Sequence, residues 1–188
     1  MTEPRIAVQV EQALAGDAAA AEFLVRRVGR IALPLAVAVL TDRDAAGDVA
    51  QDVAVEALSG LSRLREPDRF DGWVRKMAVR MTLRVADTRR RRSQTEVAFD
   101  DAEAADLADA TDAIAAREAL RAAFGPLSAR QRVALVLRYV HGLSEREIAT
   151  ALGCRPGTAG SLLSRAREVL RRDEALSELA PNATPGGG

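Results

Sequence analysis

Ser144-Glu145-Arg146-Glu147-Ile148-Ala149-Thr150-Ala151-Leu152-Gly153-Cys154-Arg155-Pro156-Gly157-Thr158-Ala159-Gly160-Ser161-Leu162-Leu163-Ser164-Arg165-Ala166-Arg167 is the stretch on which the reading of this 188-residue chain turns. Ser144 stands three residues before Glu147, the spacing of a capping box, in which two side chains satisfy the free amides at a helix start. Ile148, Ala149 and Leu152 fall on one helical face, Gly153 permits a reversal, and Ala159 and Leu163 return to pack on that face. Small Ala149 lets the two helices approach closely. The spacing predicts a helix near 145–152, a short turn, and a second helix opening at Pro156 and running to about Arg172. In a helix-turn-helix of this kind the second helix enters the DNA major groove by its amino-terminal end. Arg155, Thr158, Ala159, Ser161 and Leu162 are therefore candidates for base edges or phosphates, while Arg165 and Arg167 lie further along and suit phosphate. A hairpin in a plain helical bundle shares the apolar pattern. The caps, the glycine turn and nine arginines against three glutamates between Ser128 and Arg172 favour the DNA-binding unit.

Working outward, Ser128 with Gln131 repeats the capping-box spacing and predicts a helix near 129–140, ended at Gly142. Gly125-Pro126 stops an earlier helix expected from Ala113 to Phe124. From Ser93 to Ala116 there is no Lys or Arg, while Glu96, Asp100, Asp101, Glu103, Asp106, Asp109 and Asp112 supply seven negative charges. That composition reads as a linker. The segment from about Asp17 to Arg92 shows apolar residues at three and four spacing, broken near Thr41-Asp42-Arg43 and Arg65-Glu66-Pro67-Asp68, which predicts about three helices. Aromatics are scarce, so its core is built from Leu, Val, Ile and Ala, with Phe23, Phe70 and Trp73 as bulky exceptions. The expected fold is all-α: two small helical domains over 1–92 and 113–176, an acidic linker over 93–112, and a frayed tail over 177–188.

Twenty-seven basic and 27 acidic residues leave a formal net charge of zero, so only their distribution is informative. Arg75 to Arg92 holds eight basic residues against Asp87 alone, ending in Arg89-Arg90-Arg91-Arg92. A helix of that density repels itself unless an anion is present, and phosphate is the commonest such partner. A solvated face or a helix-end dipole partner is the bland reading of the same run. Cys154 and His141 are single, which excludes an intramolecular disulfide and a zinc site of Cys and His alone. Both read as structural residues, a small filler in a turn and a helix-end side chain. Neither a phosphate-cradling loop nor a nucleophile elbow nor a metal-spaced carboxylate motif occurs, so no catalytic residue, metal or cofactor is implied. The longest uncharged apolar run, Ile31 to Leu40, contains Pro34 and falls short of the roughly 20 residues that cross a bilayer. Met1 to Glu11 lacks the pattern of a secretory signal, which makes the cytoplasm the expected location.

Two separated stretches then resemble one family. Ala15-Gly16-Asp17, Asp48-Val49-Ala50-Gln51-Asp52-Val53 and Phe70-Asp71-Gly72-Trp73-Val74 resemble region two, and Leu127-Ser128-Ala129-Arg130-Gln131-Arg132, Gly157-Thr158 and Ser164-Arg165-Ala166-Arg167 resemble region four, of a bacterial sigma factor. The group is the compact extracytoplasmic-function one of the sigma-70 family, and the resemblance spans about Asp17 to Arg172. It implies that Asp48, Gln51, Asp52 and Glu56 face the clamp helices of core RNA polymerase. It implies that the helix from Trp73 to Arg92 binds the minus-ten promoter element, with Lys76, Arg80, Arg84, Arg89, Arg90, Arg91 and Arg92 on phosphate. Trp73 either stacks on an unpaired base or, at helical spacing from Met77, belongs to the core. Region four would read the minus-thirty-five element and touch the polymerase flap. Many relatives are held inactive by an anti-sigma protein. The chain departs from the common pattern at Arg80 and Arg84, where the family has Asn and Asp, and at Gly160 and Leu162, where it has basic residues. A free-standing helix-turn-helix regulator that binds duplex DNA without polymerase is the alternative, and a non-DNA adaptor a third reading.

Overall fold

The computed structural model describes residues 5–95 and 122–172. Every regular element among them is helical. The expected linker from residue 96 on, most of the helix expected from Ala113 and the tail lie outside the described residues.

The first helix, α1 (Ile6–Leu14), precedes the segment in which the sequence predicts helices. It has no side-chain cap and only one fully buried residue, Val10. Its nine residues are too few to hold a helix in water alone, so its order comes from packing on the next helix, a tertiary effect that periodicity does not show. Gly16 takes φ +93° at the reversal. Asp17 then caps α2 (Ala18–Leu40), its carboxylate accepting from the amides of Ala19 and Ala20 at 2.8 and 3.1 Å. This 23-residue helix is about 35 Å long, and α1 and the helices after it pack around it. Leu24, Val28, Ile31, Leu35 and Val39 form its buried stripe, and Pro34 sits within it. Asp42 caps α3 (Arg43–Ser59), accepting from Asp44 and Ala45. This helix buries Ala46, Val49, Val53 and Ala57 at three and four spacing and turns its polar residues outward. Two short 3-10 turns, Leu61–Arg63 and Pro67–Arg69, carry the chain through the break expected near Pro67 into α4 (Phe70–Thr95). The last helix runs three residues past the boundary placed at 92.

After a final helical turn at 122–124, Ser128 caps α5 (Ala129–Tyr139) and Ser144 caps α6 (Glu145–Leu152), both with complete capping boxes. Gly153 takes φ +62°, a left-handed conformation that strains any residue with a Cβ, and Pro156 opens α7 (Pro156–Arg171). The helix-turn-helix therefore forms as its punctuation predicts. Ile148, Ala149, Leu152, Ala159 and Leu163 meet in its core. Buried side chains continue without a gap from this unit into α2 and α4, because α5 packs on α2 and α6 on α4.

Candidate nucleic-acid interface

Of the residues at the start and along the face of α7, its N-cap Arg155 and Thr158, Ser161, Ser164, Arg165 and Arg167 are among those exposed. Ala159 is fully buried, so the expectation that it reaches a base edge is corrected. It occupies the α6–α7 contact, a role its spacing also predicted, and one methyl group cannot fill both positions. Leu162 is half-buried against the core and turns only part of its surface outward. The Ser161 hydroxyl donates to the Gly157 carbonyl at 2.9 Å, which leaves its lone pairs toward solvent. Glu145 of α6 lies over Gly160: a Cβ there would stand 2.9 Å from its Oε2. The gap left by the missing side chain is thus filled by a carboxylate.

On α4, Lys76, Arg80, Arg84 and Arg89 to Arg92 are all exposed. They are not equally available. Arg80 pairs with Glu56 of α3, and Arg89 donates to Asp42 at 2.9 Å. The Ala45 amide and then the Arg89 guanidinium hold the Asp42 carboxyl below the usual carboxylate value. Asp71, at the start of α4, accepts two parallel bonds from Arg27 of α2, each 2.7 Å, with Arg75 behind it at 3.9 Å. This partly buried fork fixes the axial position of the basic helix on α2. Its acidic partner was within a recognised motif, but Arg27 stands 44 positions away and no spacing signals the pair.

Asp48, Gln51, Asp52 and Glu56 share the exposed side of α3, as their spacing requires. Among them Val55 is 59% exposed, an apolar side chain that the sequence reading overlooked. Its offset of two from Val53 places it away from the buried stripe, and that offset was the available signal.

Between α3, α4 and α6 runs a groove of about 990 Å³, lined by Glu56, Trp73, Lys76, Arg80 and Arg84 on one side and by Thr150 to Gly153 on the other. Half-buried Trp73 forms part of its floor. Its ring lies over Gly60, where a Cβ would meet Cζ2 at 3.3 Å, and tilts against Phe70 at 6.2 Å between centroids. Trp73 therefore packs against the core while presenting one edge to the groove. A smaller cavity of about 220 Å³ is lined by Arg27, Arg30, Ile31, Asp71, Arg75 and His141. Burial and the nearby Arg75 cation push the His141 imidazole below its ordinary pKa. Two hydrogen bonds from Ser144 hold the Glu147 carboxyl below its usual value.

The comparisons with known proteins agree with this geometry. The family model for sigma-70 region 4 matches residues 117–170. The RNA polymerase sigma-H factor of Pseudomonas aeruginosa is 31% identical over 185 residues, which cover 93% of this chain and 95% of that protein. Among solved structures, the sigma factor RpoE of Bartonella quintana, in complex with the anti-sigma factor NepR, is 25% identical with a TM-score of 0.59. That match covers 82% of this chain and 92% of the other. CnrH, in complex with the cytosolic domain of CnrY, has the same fold at a TM-score of 0.64, covering 95% of this chain and 100% of the other at 22% identity. With a relative of that identity aligned along nearly the whole chain, and a region-four unit built around a capped helix-turn-helix, the protein belongs to the extracytoplasmic-function group of the sigma-70 family of RNA polymerase sigma factors.

Proposed function

We propose that this sigma factor divides its work between two exposed faces on adjoining helices and a third on the helix-turn-helix. The α3 face with Asp48, Gln51, Asp52 and Glu56 docks on the clamp helices of core polymerase, with exposed Val55 adding apolar contact. The α4 face with Lys76, Arg80, Arg84 and Arg89 to Arg92 neutralises the phosphates of the minus-ten element as its strands part. Arg155, Thr158, Ser161, Arg165 and Arg167 of α7 engage the minus-thirty-five element, with the rest of the carboxy-terminal unit against the flap. The division into a promoter-melting domain over 1–92 and an upstream-element domain over 113–176 follows from those roles. The protein acts in the cytoplasm beside polymerase and has no catalytic activity of its own. The observation that carries the reading is the segregation of charge: acidic and amide side chains on α3, basic ones on α4, each set exposed and neither needed for the core.

An anti-sigma partner is a further part of this proposal, because a sigma factor of the same fold, RpoE, was solved with the anti-sigma factor NepR bound.

Run-off transcription with purified core polymerase on a pool of promoter fragments tests the reading. Wild-type protein gives new transcripts, and Gln51→Ala with Asp52→Ala lowers their yield by about tenfold or more, the loss of roughly 1.4 kcal/mol of docking. Transcripts that persist undiminished would remove α3 from the docking face. No transcript and no binding to core would overturn the sigma-factor roles assigned here.

A further inference from the structure

We propose that the cavity between α2, the start of α4 and the α5–α6 loop is a binding site for a small tetrahedral oxyanion, free phosphate or the terminal phosphate of a phosphomonoester. The docking and promoter roles assigned above do not enter into it.

Three parts of the chain line this cavity. Arg27 and Arg30 come from α2, Asp71 and Arg75 from the first turns of α4, and His141 from the loop after α5, with Ile31 as the apolar member. Three guanidiniums thus stand against one carboxylate. That carboxylate is already engaged, because Arg27 donates to both Asp71 oxygens at 2.7 Å, while Arg75 comes no nearer to it than 3.9 Å. Glu147 of α6 is governed first by its bonds to Ser144 and last by the Arg75 cation, and it does not line the cavity.

Arg75 Nε and His141 Nε2 are buried and have no hydrogen-bond partner among the described residues. The Thr82 hydroxyl is the one other described side-chain atom in that condition, so two of the three belong to this lining. Buried polar atoms are nearly always paired, and leaving one unpaired costs free energy that a partner recovers. A guanidinium N–H only donates, and an imidazolium donates from both nitrogens. The two atoms therefore call for an acceptor, and the surplus of two positive charges calls for an anion. A phosphate dianion answers both, since its oxygens accept several charge-assisted bonds and match the planar fork of an arginine.

Size and burial select a small anion over a DNA backbone. The cavity holds about 220 Å³, below the roughly 300–1,000 Å³ of sites that take drug-sized molecules. The side chains of Arg27, Asp71 and Arg75 are only 23%, 24% and 22% exposed. A backbone phosphate carries a sugar on each side and cannot bring its oxygens to donors buried in this way, whereas a free or terminal phosphate can. Burial and then the Arg75 cation hold the His141 imidazole below its ordinary pKa, against the opposite pull of the Ile31 carbonyl and Asp71, with Arg27 and Arg30 as the other charges around it. An anion seated beside the ring favours its charged form and raises that value.

His141 is the only histidine in the chain, so its imidazole NMR signals in the untagged full-length protein report on this cavity alone. Phosphate or sulfate is titrated in place of chloride at constant ionic strength. The expected result is a saturable shift with phosphate and with sulfate, little with chloride, and a higher His141 pKa at saturating sulfate, an anion that keeps both charges across the histidine range. Arg75→Met should raise the phosphate midpoint by about tenfold. Arg30→Gln, at an exposed position of α2, should raise it by several-fold and serves if Arg75→Met does not fold. A nucleoside monophosphate that matches phosphate marks a terminal-phosphate site, and one that is excluded marks a free-anion site. Signals unmoved by phosphate, or moved equally by chloride, overturn the site, as do unchanged midpoints in the folded variants. A shift produced by duplex DNA and by neither small anion gives the cluster to the promoter backbone and overturns it as well.

Discussion

The arginines of α4 and those of α7 meet opposite fates. On α4, Arg80 is held by Glu56 and Arg89 by Asp42, so part of the basic face is neutralised within the protein. On α7, Arg155, Arg165 and Arg167 project from an exposed face and make no ion pair among the described residues. Exposed pairs of the first kind contribute about 1 kcal/mol or less, so phosphate displaces their carboxylates at small cost. The difference concerns timing: α7 presents its charge at all times, whereas α4 holds back the share carried by Arg80 and Arg89 until an anion arrives. That suits a helix whose target strands become available only when the duplex opens.

The largest expected effect comes from undoing what holds α4 in place. Among the described residues, Arg27→Met leaves a partly buried Asp71 with the 3.9 Å contact to Arg75 as its ion pair. Two charge-assisted bonds are lost, and urea denaturation should show about 2–3 kcal/mol less stability. A loss below about 0.5 kcal/mol would mean that apolar packing alone sets the position of α4.

Next in size is Asp42→Ala, which removes the cap of α3 and the partner of Arg89 together. Caps of this type contribute about 1 kcal/mol. The sign with pH follows from the depressed carboxyl: its stabilisation is present above the ordinary value of 3.8 and is lost as pH falls through the lower folded value. Wild-type protein should therefore lose this increment in acid, and Asp42→Ala should not, a difference that thermal melts across pH 2–6 would show.

These two cases also mark what sequence could and could not tell. The helix-turn-helix was legible because its signals are local: two capping boxes, a glycine at each reversal, and a proline at the first turn of α7. The all-α class and the basic run of α4 followed from period and charge, and the polar face of α3 from the family resemblance. Arg27 with Asp71, Arg80 with Glu56 and Arg132 with the Val39 carbonyl were not legible, since each joins residues far apart in the chain through a choice of packing that no spacing encodes. Helix α1 was missed for the same reason. Ala159 shows the converse: a position that fits two roles by spacing is settled only by which face the neighbouring helix covers.

A smaller effect sharpens the comparison directly. In salt titrations of holoenzyme on promoter DNA, each phosphate contact made by a counterion-bearing cation contributes about 0.9 to the slope of log affinity against log salt. Arg165→Ala should reduce the slope by about that amount. Arg89→Ala should reduce it by clearly less, because phosphate replaces Asp42 at that arginine and the freed carboxylate gathers a cation. Equal reductions would show that the Arg89–Asp42 pair does not persist in solution and that α4 and α7 present charge alike.

The smallest effect is at Gly160, where α7 departs from a basic recognition helix. Alanine in a helix interior is favoured over glycine by about 1 kcal/mol. The added Cβ would meet only Oε2 of exposed Glu145, the far end of a flexible side chain that can swing aside. Gly160→Ala should therefore raise stability by about 0.5–1 kcal/mol and leave upstream-element binding unchanged. Gly160→Lys separates charge from stability, because Glu145 is placed to hold the introduced ammonium much as Glu56 holds Arg80. Alone it should change upstream affinity little, and with Glu145→Gln it should strengthen it by several-fold at low salt. If Gly160→Lys alone gives the full gain, then a carboxylate beside a cation does not withhold it from DNA. The contrast between the paired helix α4 and the open helix α7 would then have no bearing on when each engages the promoter.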